Sequence, residues 1–220
     1  LQYDPCPMIH EGMMVEVTHG ALRGVIGRLM RKDAIKARDN EEIVLSWVEY
    51  PDKHTRDLAN KKMIADATLK TMADSIPLDR ARAITAGFTP LVDQGHRGKM
   101  GYTEGYLVIV PEAKKQEYRT LASNTSKAFE DHGATRVVEA WGDDFSNAEA
   151  ADFKRAVRAK PDENVVLAFV EWPSKQVREQ AMPKVMADSR LGAGQDNLPF
   201  DRTRMIHGGF TPVLDTGAAY

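Results

Sequence analysis

The sequence predicts an α+β fold made of two β-α-β-β-α-β units in tandem. Three observations carry this. Residues 44–51 read VLSWVEYP and residues 166–173 read VLAFVEWP, a shift of 122 positions. The shift runs ungapped from Ala34 to Gly95, with 27 identities in 62 positions, among them Gly87-Phe88-Thr89-Pro90 against Gly209-Phe210-Thr211-Pro212. A period this long is a duplicated domain, because solenoid repeats run roughly 20–50 residues. The third observation is the order of short β-branched runs and amphipathic stretches in the second half.

Glu104–Pro111 (EGYLVIVP) is short, apolar and β-branched, a strand. Glu112–His132 carries Tyr118, Leu121, Thr125, Ala128, Phe129 and His132 at helical spacings, and Gly133 follows as a stop. Thr135–Trp141 is a second strand and Gly142–Asp152 a polar loop. Val165–Trp172 is nearly all apolar, a strand buried on both faces. Ser174 caps the next helix, as Asp52 does in the first copy. Val177, Ala181 and Val185 line one face of that helix, and Pro183 kinks it or delays its start. Arg204–Leu214 is the last strand, with a bulge or bend at Gly208-Gly209. This order is the ferredoxin-like one.

The predicted organisation is a first, truncated or degenerate copy over 1–95, a Gly-rich linker over 96–101 and a complete copy over 102–220. The first copy lacks a counterpart of residues 101–122. The strand Ile43–Glu49 is expected to be central, so the slot beside it must be filled: by upstream residues, by Leu1–Ile9 or by another chain. Otherwise several buried backbone groups stay unpaired, at about 1–3 kcal/mol each.

Net charge is −2, from 30 basic and 32 acidic residues, which argues against a nucleic-acid partner or an anionic membrane surface. The longest apolar run, Val165–Val170, cannot cross a bilayer. Leu1–Pro5 has neither the basic nor the apolar part of a signal peptide. The single cysteine, Cys6, excludes a disulfide framework. A cytoplasmic protein is expected.

The texts Asp131–Asp144, Val165–Lys175, Met186–Arg190 (MADSR) and Asn197–Asp215 (NLPFDRTRMIHGGFTPVLD) occur in an order and spacing that strongly resemble a YbaA-like bacterial family of unknown function. The resemblance covers Met100–Asp215 well and Ala34–Asp93 as a weaker copy. It implies a dimeric α/β barrel, in which two ferredoxin-like units join their sheets, here within one chain as a pseudo-dimer. Further homo-oligomerisation is left open. Relatives in that superfamily include cofactor-free monooxygenases and haem-degrading enzymes, and fold alone selects none of these activities.

The ligand-binding candidates are Glu139, Trp141, His207, Arg204 and Glu171. Glu139 and Trp141 are two apart on a strand and share a face. A carboxylate with aromatics inside a barrel can bind a small polar ligand or move a proton. The structural alternative pairs Glu139 with an arginine such as Arg204 and makes Trp141 core. Extending the shift places Val17 and His19 opposite these two. Glu171 matches Glu49, which favours a shared structural role. His207 is a proton-transfer candidate or an ordinary strand histidine. His132, with His10 opposite it, complements a helix dipole. Asp201-Arg202 and Arg204 read as a turn and ion pair. No metal motif, P-loop or dinucleotide loop is present, Gly192-Ala193-Gly194 included, so neither cofactor nor metal is expected. The first-ranked function is small-molecule binding in or beside the barrel. The alternatives are a cofactor-independent monooxygenase or isomerase acting on a small aromatic or carbonyl compound, and a structural barrel module.

Overall fold

Among the described residues, seven strands form one antiparallel sheet: β1 (Ala21–Leu29), β2 (Ile43–Glu49), β3 (Gly87–Gly95), β4 (Tyr102–Pro111), β5 (Arg136–Asp144), β6 (Glu163–Trp172) and β7 (Ile206–Asp215). The α-helices among the described residues are α1 (Lys53–Ala65), α2 (Lys115–Asp131), the single turn α3 (Phe153–Ala156) and α4 (Lys175–Ala187). This computed structural model describes residues 21–29 (by strand pairing), 38, 41–68, 71, 84–96, 100–145, 153–191 and 197–216. Cys6, His10, Val17, His19, Asp79–Arg82 and Gly192–Gly194 lie outside the described residues.

The sheet order is β2-β1-β7-β4-β6-β5-β3. Within it, β7-β4-β6-β5 is the ferredoxin-like order of fourth, first, third and second strand. The first half repeats the later part of that unit: hairpin β1–β2 matches β5–β6, and β3 matches β7. The halves pair through β1 with β7 and β3 with β5. The register carries the repeat, because Val92 faces Glu139 while Leu214, 122 positions on, faces Gly24. The two copies therefore join in cis, as expected, about a pseudo-two-fold axis.

The expected filling of the slot by Leu1–Ile9 falls outside the described residues; among the described ones, strand β2 is not central. It ends the sheet, paired with β1 alone, and among the described residues no strand lies along its outer edge. Two complete units would make a ring of eight; the place between β2 and β3, that of the first strand of the first copy, holds no strand among the described residues. The strand is also less buried than a central strand: Val44 and Ser46 are exposed.

The sheet has two covered faces. On one, Val108, Val110, Trp141 and Val166 pack on Tyr118 and Ala122 of α2, and Val137, Val170 and Trp172 pack on Ala181 and Val185 of α4. On the other, Trp47 of β2 stacks on Phe169 of β6 with ring centroids 4.5 Å apart. These strands are four places apart in the sheet, so the sheet curls round and this face is the barrel interior. Val138, Ala140, Phe88, Ile43, Met100 and Phe210 fill it. Strand β6 has every residue buried, as its continuous apolar text requires.

Local signals resolve as follows. Asp52 and Ser174 cap α1 and α4 by accepting from the N–H groups of Thr55 and Val177. Helix α4 starts at Lys175 and runs through Pro183, so its start is not delayed. Gly133 closes α2 with φ +105°, a conformation only glycine adopts freely. The last strand begins at Ile206 rather than Arg204, because Arg202–Arg204 make a 3₁₀ turn capped by Asp201. The expected bulge at Gly208-Gly209 is absent: the β4–β7 register runs unbroken from Thr103/Phe210 to Leu107/Ile206. Gly209 serves packing instead, since a Cβ there would overlap the Tyr102 hydroxyl. Strand β5 runs on to Asp144, into the expected loop, and β3 takes in Gln94 and Gly95.

Candidate functional site between sheet and helix α2

The registers place His207, Tyr106, Ala168, Glu139 and Val92 side by side in one row across β7, β4, β6, β5 and β3. Neighbouring strands are about 4.8 Å apart. Ala168 is the small member of the row, between Tyr106 and Glu139 on the helix side. Helix α2 packs over this row with Tyr118, whose hydroxyl donates to Glu139 Oε2 at 2.7 Å. Phe200 meets Tyr118 edge-on at 5.9 Å, and Tyr106 stacks on His207 at 5.8 Å. Trp141, in the next row, is buried, with Lys115 Nζ 4.9 Å from its ring centroid.

Glu139 and Glu104 share this face and differ in their partners. Glu104 accepts from Trp172 Nε1 at 3.1 Å and is ion-paired to Arg178. Glu139 has Tyr118, and among the described residues no cation stands within ion-pair distance of it. Burial therefore dominates: it pushes the Glu139 carboxyl up to about 7, against a smaller lowering by the Tyr118 hydrogen bond. The Tyr118 and Tyr106 hydroxyls are pushed well above the usual phenol range, by burial first and then by the neighbouring carboxylates. The protein around Glu139 strips water from its carboxyl, yet Glu139, Tyr106 and His207 are only half-buried. These three side chains, neighbours in one row, keep accessible surface next to the Tyr118–Glu139 hydrogen bond.

Three of the five candidates thus share one face: Glu139, Trp141 and His207. The expectation that Glu139 and Trp141 lie inside the barrel is corrected. They share parity with Val137, which packs toward the helices, whereas Arg136, Val138 and Ala140 point inward. Arg204 does not reach Glu139. It binds Glu163 at 2.6 and 2.9 Å and the Arg158 carbonyl at 2.8 Å, an ion pair at the entry to β7 as its turn setting predicted. His132 caps α2 and meets Asp188 at 3.2 Å.

Glu171 lies on the inner face, in a network that sequence reasoning missed. Arg136 Nη1 and Nη2 donate to Glu49 at 2.8 and 3.0 Å, and its Nε and Nη2 donate to Asp93 at 2.7 and 2.8 Å. Glu171 Oε1 stands 3.6 Å from Nη1. The carboxylates hold the guanidinium firmly protonated despite its burial. Glu49 and Glu171 do share a structural role: both converge on one arginine. The available signal was a lone arginine opening the apolar text RVVEAW.

The first copy has no second Glu139. Ser46 and Ala168 are repeat equivalents; Ser46 faces Gly24 and Ala168 faces Glu139. By the same step Ile26 matches Trp141. The positions read from the uniform shift, Val17 and His19, are corrected, because residues 30–42 join β1 to β2 whereas the longer 145–162 join β5 to β6.

Among the described residues no group of three or more His, Cys, Asp or Glu could hold a metal ion, and no helix is long and apolar enough to cross a membrane.

A profile described as "Protein of unknown function (DUF1428)" matches residues 9–80 and 101–202, once in each half. The chain belongs to the DUF1428 family. A curated DUF1428-like relative is the uncharacterized protein YbaA of Escherichia coli (strain K12), 41% identical over 116 residues, which is 53% of this chain and 99% of YbaA. YbaA of Shigella flexneri matches with the same identity and coverage. One YbaA length therefore corresponds to about half of this DUF1428 chain. Among solved structures, an anthrone oxidase-like protein aligns with a TM-score of 0.49 at 11% identity, covering 97% of this chain and 86% of that one.

Proposed function

We propose that this DUF1428 chain is a cytoplasmic small-molecule-binding protein whose ligand sits between the sheet and α2. Glu139 is the polar anchor, with Tyr106, Tyr118 and His207 around it. The observation that carries this is Glu139 itself: desolvated, still partly open, and held by one tyrosine hydroxyl. A core-filling carboxyl would be paired, as Glu104 is. In this reading residues 102–220 hold the ligand, 1–95 complete the barrel as an internal partner, and 96–101 connect them. The filled interior around Trp47, Phe169 and Arg136 is scaffold.

A second reading is favoured by one property. A carboxyl poised near neutral pH can take a proton from a carbon next to a carbonyl and return it to another carbon, an isomerisation with no net redox change. The test is a fluorescence and thermal-shift screen of small aromatic and carbonyl compounds against the wild type and Glu139→Gln. Binding lost in the variant supports the site. Binding that is indifferent to Glu139 overturns it. Solvent-deuterium incorporation into a bound compound distinguishes proton transfer from binding alone.

A further inference from the structure

The partly open row beside Glu139 offers a carboxyl with no ion-pair partner among the described residues, next to the rings of Tyr106, Tyr118 and Phe200. Its nearest group, Tyr118, supplies a neutral hydroxyl. Two cations of this layer are engaged elsewhere: Arg178 with Glu104, and Lys115 over Trp141. Tyr106 and Phe200 add ring surface from the sheet and from the segment before β7. A buried carboxylate without a counter-charge is unfavourable, and a bound cation removes that penalty. Ring faces attract the same cation through their negative quadrupole. Resting on the binding reading above, we propose that the ligand is a compact protonated amine on an apolar or aromatic body, with Glu139 as its counter-ion.

The groups around Glu139 that could alter its titration are Tyr118 and Lys115 on α2, Tyr106 and Glu104 on β4, and His207 on β7; β6 contributes the neutral Ala168. Ionised Glu139 is the competent form, so amine affinity should rise as pH goes from 6 to 8. With the carboxyl titrating at about 7, that rise is about tenfold. Near the lower end of this range, binding should release most of one proton per site.

The experiment uses the full chain and three probes that share a phenyl ring and differ in charge: benzylamine, benzyl alcohol and benzoate. Calorimetry at pH 6 and 8, in buffers of different ionisation heat, reads affinity and proton release. The expected result is benzylamine bound at least tenfold more tightly than the other two, tenfold better at pH 8 than at pH 6, and with proton release. Glu139→Gln should lose the preference and the pH dependence. Benzyl alcohol or benzoate binding as well as the amine overturns the amine inference and leaves the binding reading standing. Silence from all three overturns the amine inference, and silence from the wider screen as well removes the binding reading. The wild-type comparison stands even if a variant fails to fold.

Discussion

Trp47 and Phe169 occupy equivalent positions in the two copies, and their rings stack on each other with centroids 4.5 Å apart. A residue that meets its own counterpart lies on the symmetry axis of an isologous contact. Removing either ring opens the same space. Phe169→Ala should cost about 3–5 kcal/mol, and Trp47→Ala a similar amount. The double variant should cost clearly less than the sum, since both changes delete one shared contact. Urea denaturation of the four proteins measures this; strict additivity would mean that the stack contributes nothing.

Arg136 holds carboxylates from both copies. Arg136→Met leaves Glu49, Asp93 and Glu171 facing one another without it, at a cost of about 3–5 kcal/mol. Crowded carboxylates titrate upward, so lowering the pH toward 4 should protonate them and narrow the gap to wild type. Arg136→Lys should recover only part of the loss, because an ammonium cannot make the paired bonds to Glu49 and Asp93. Thermal unfolding between pH 4 and 8 checks both; a gap that widens in acid contradicts the network.

Glu139 makes a pH-linked prediction of its own. Its folded value, about 7, lies above its ordinary 4.5. Between those values the folded chain keeps a proton that the unfolded chain has lost, so stability is greatest below 4.5 and falls as pH rises to about 7. Over the whole window the fall is about 3 kcal/mol. Glu139→Gln should remove it, matching wild type at pH 4.5 and exceeding it at pH 8. The difference between the two stability profiles is the measurement, and a flat difference rules out the shift.

Gly209 leaves room for the Tyr102 ring and hydroxyl. Gly209→Ala should destabilise by about 1–3 kcal/mol through overpacking. Tyr102→Phe in the same chain should recover part of this, since the hydroxyl makes the nearest contact. A Gly209→Ala protein as stable as wild type would show that the ring moves aside freely.

Sequence text revealed the strands, the capped helices and the duplication, because period, caps and apolar runs are local signals. Ser174 and Asp52 cap as their neighbours imply, and the fully apolar text of β6 is buried throughout. Which face is which was not legible. Alternation shows that Glu139 and Trp141 lie together but not whether helix α2 or the opposite half covers them. The first-copy counterparts were misplaced for a related reason: a uniform shift cannot follow a change in loop length, and only the β1–β2 register brings Gly24 opposite Ser46. The Arg136 network escaped because its partners are distant in sequence, on three different strands.

The pairing of β1 with β7 reaches from Arg23 to Asp215, across most of the chain. During synthesis, therefore, the first half cannot settle as it emerges. Its hairpin waits for the last strand, and Glu49 and Asp93 wait for Arg136. Such long-range closure slows folding, and it leaves early strand edges open to wrong partners until β7 arrives. Joining two copies in one chain removes the need to find a second molecule, and replaces it with a dependence on the order in which strands leave the ribosome.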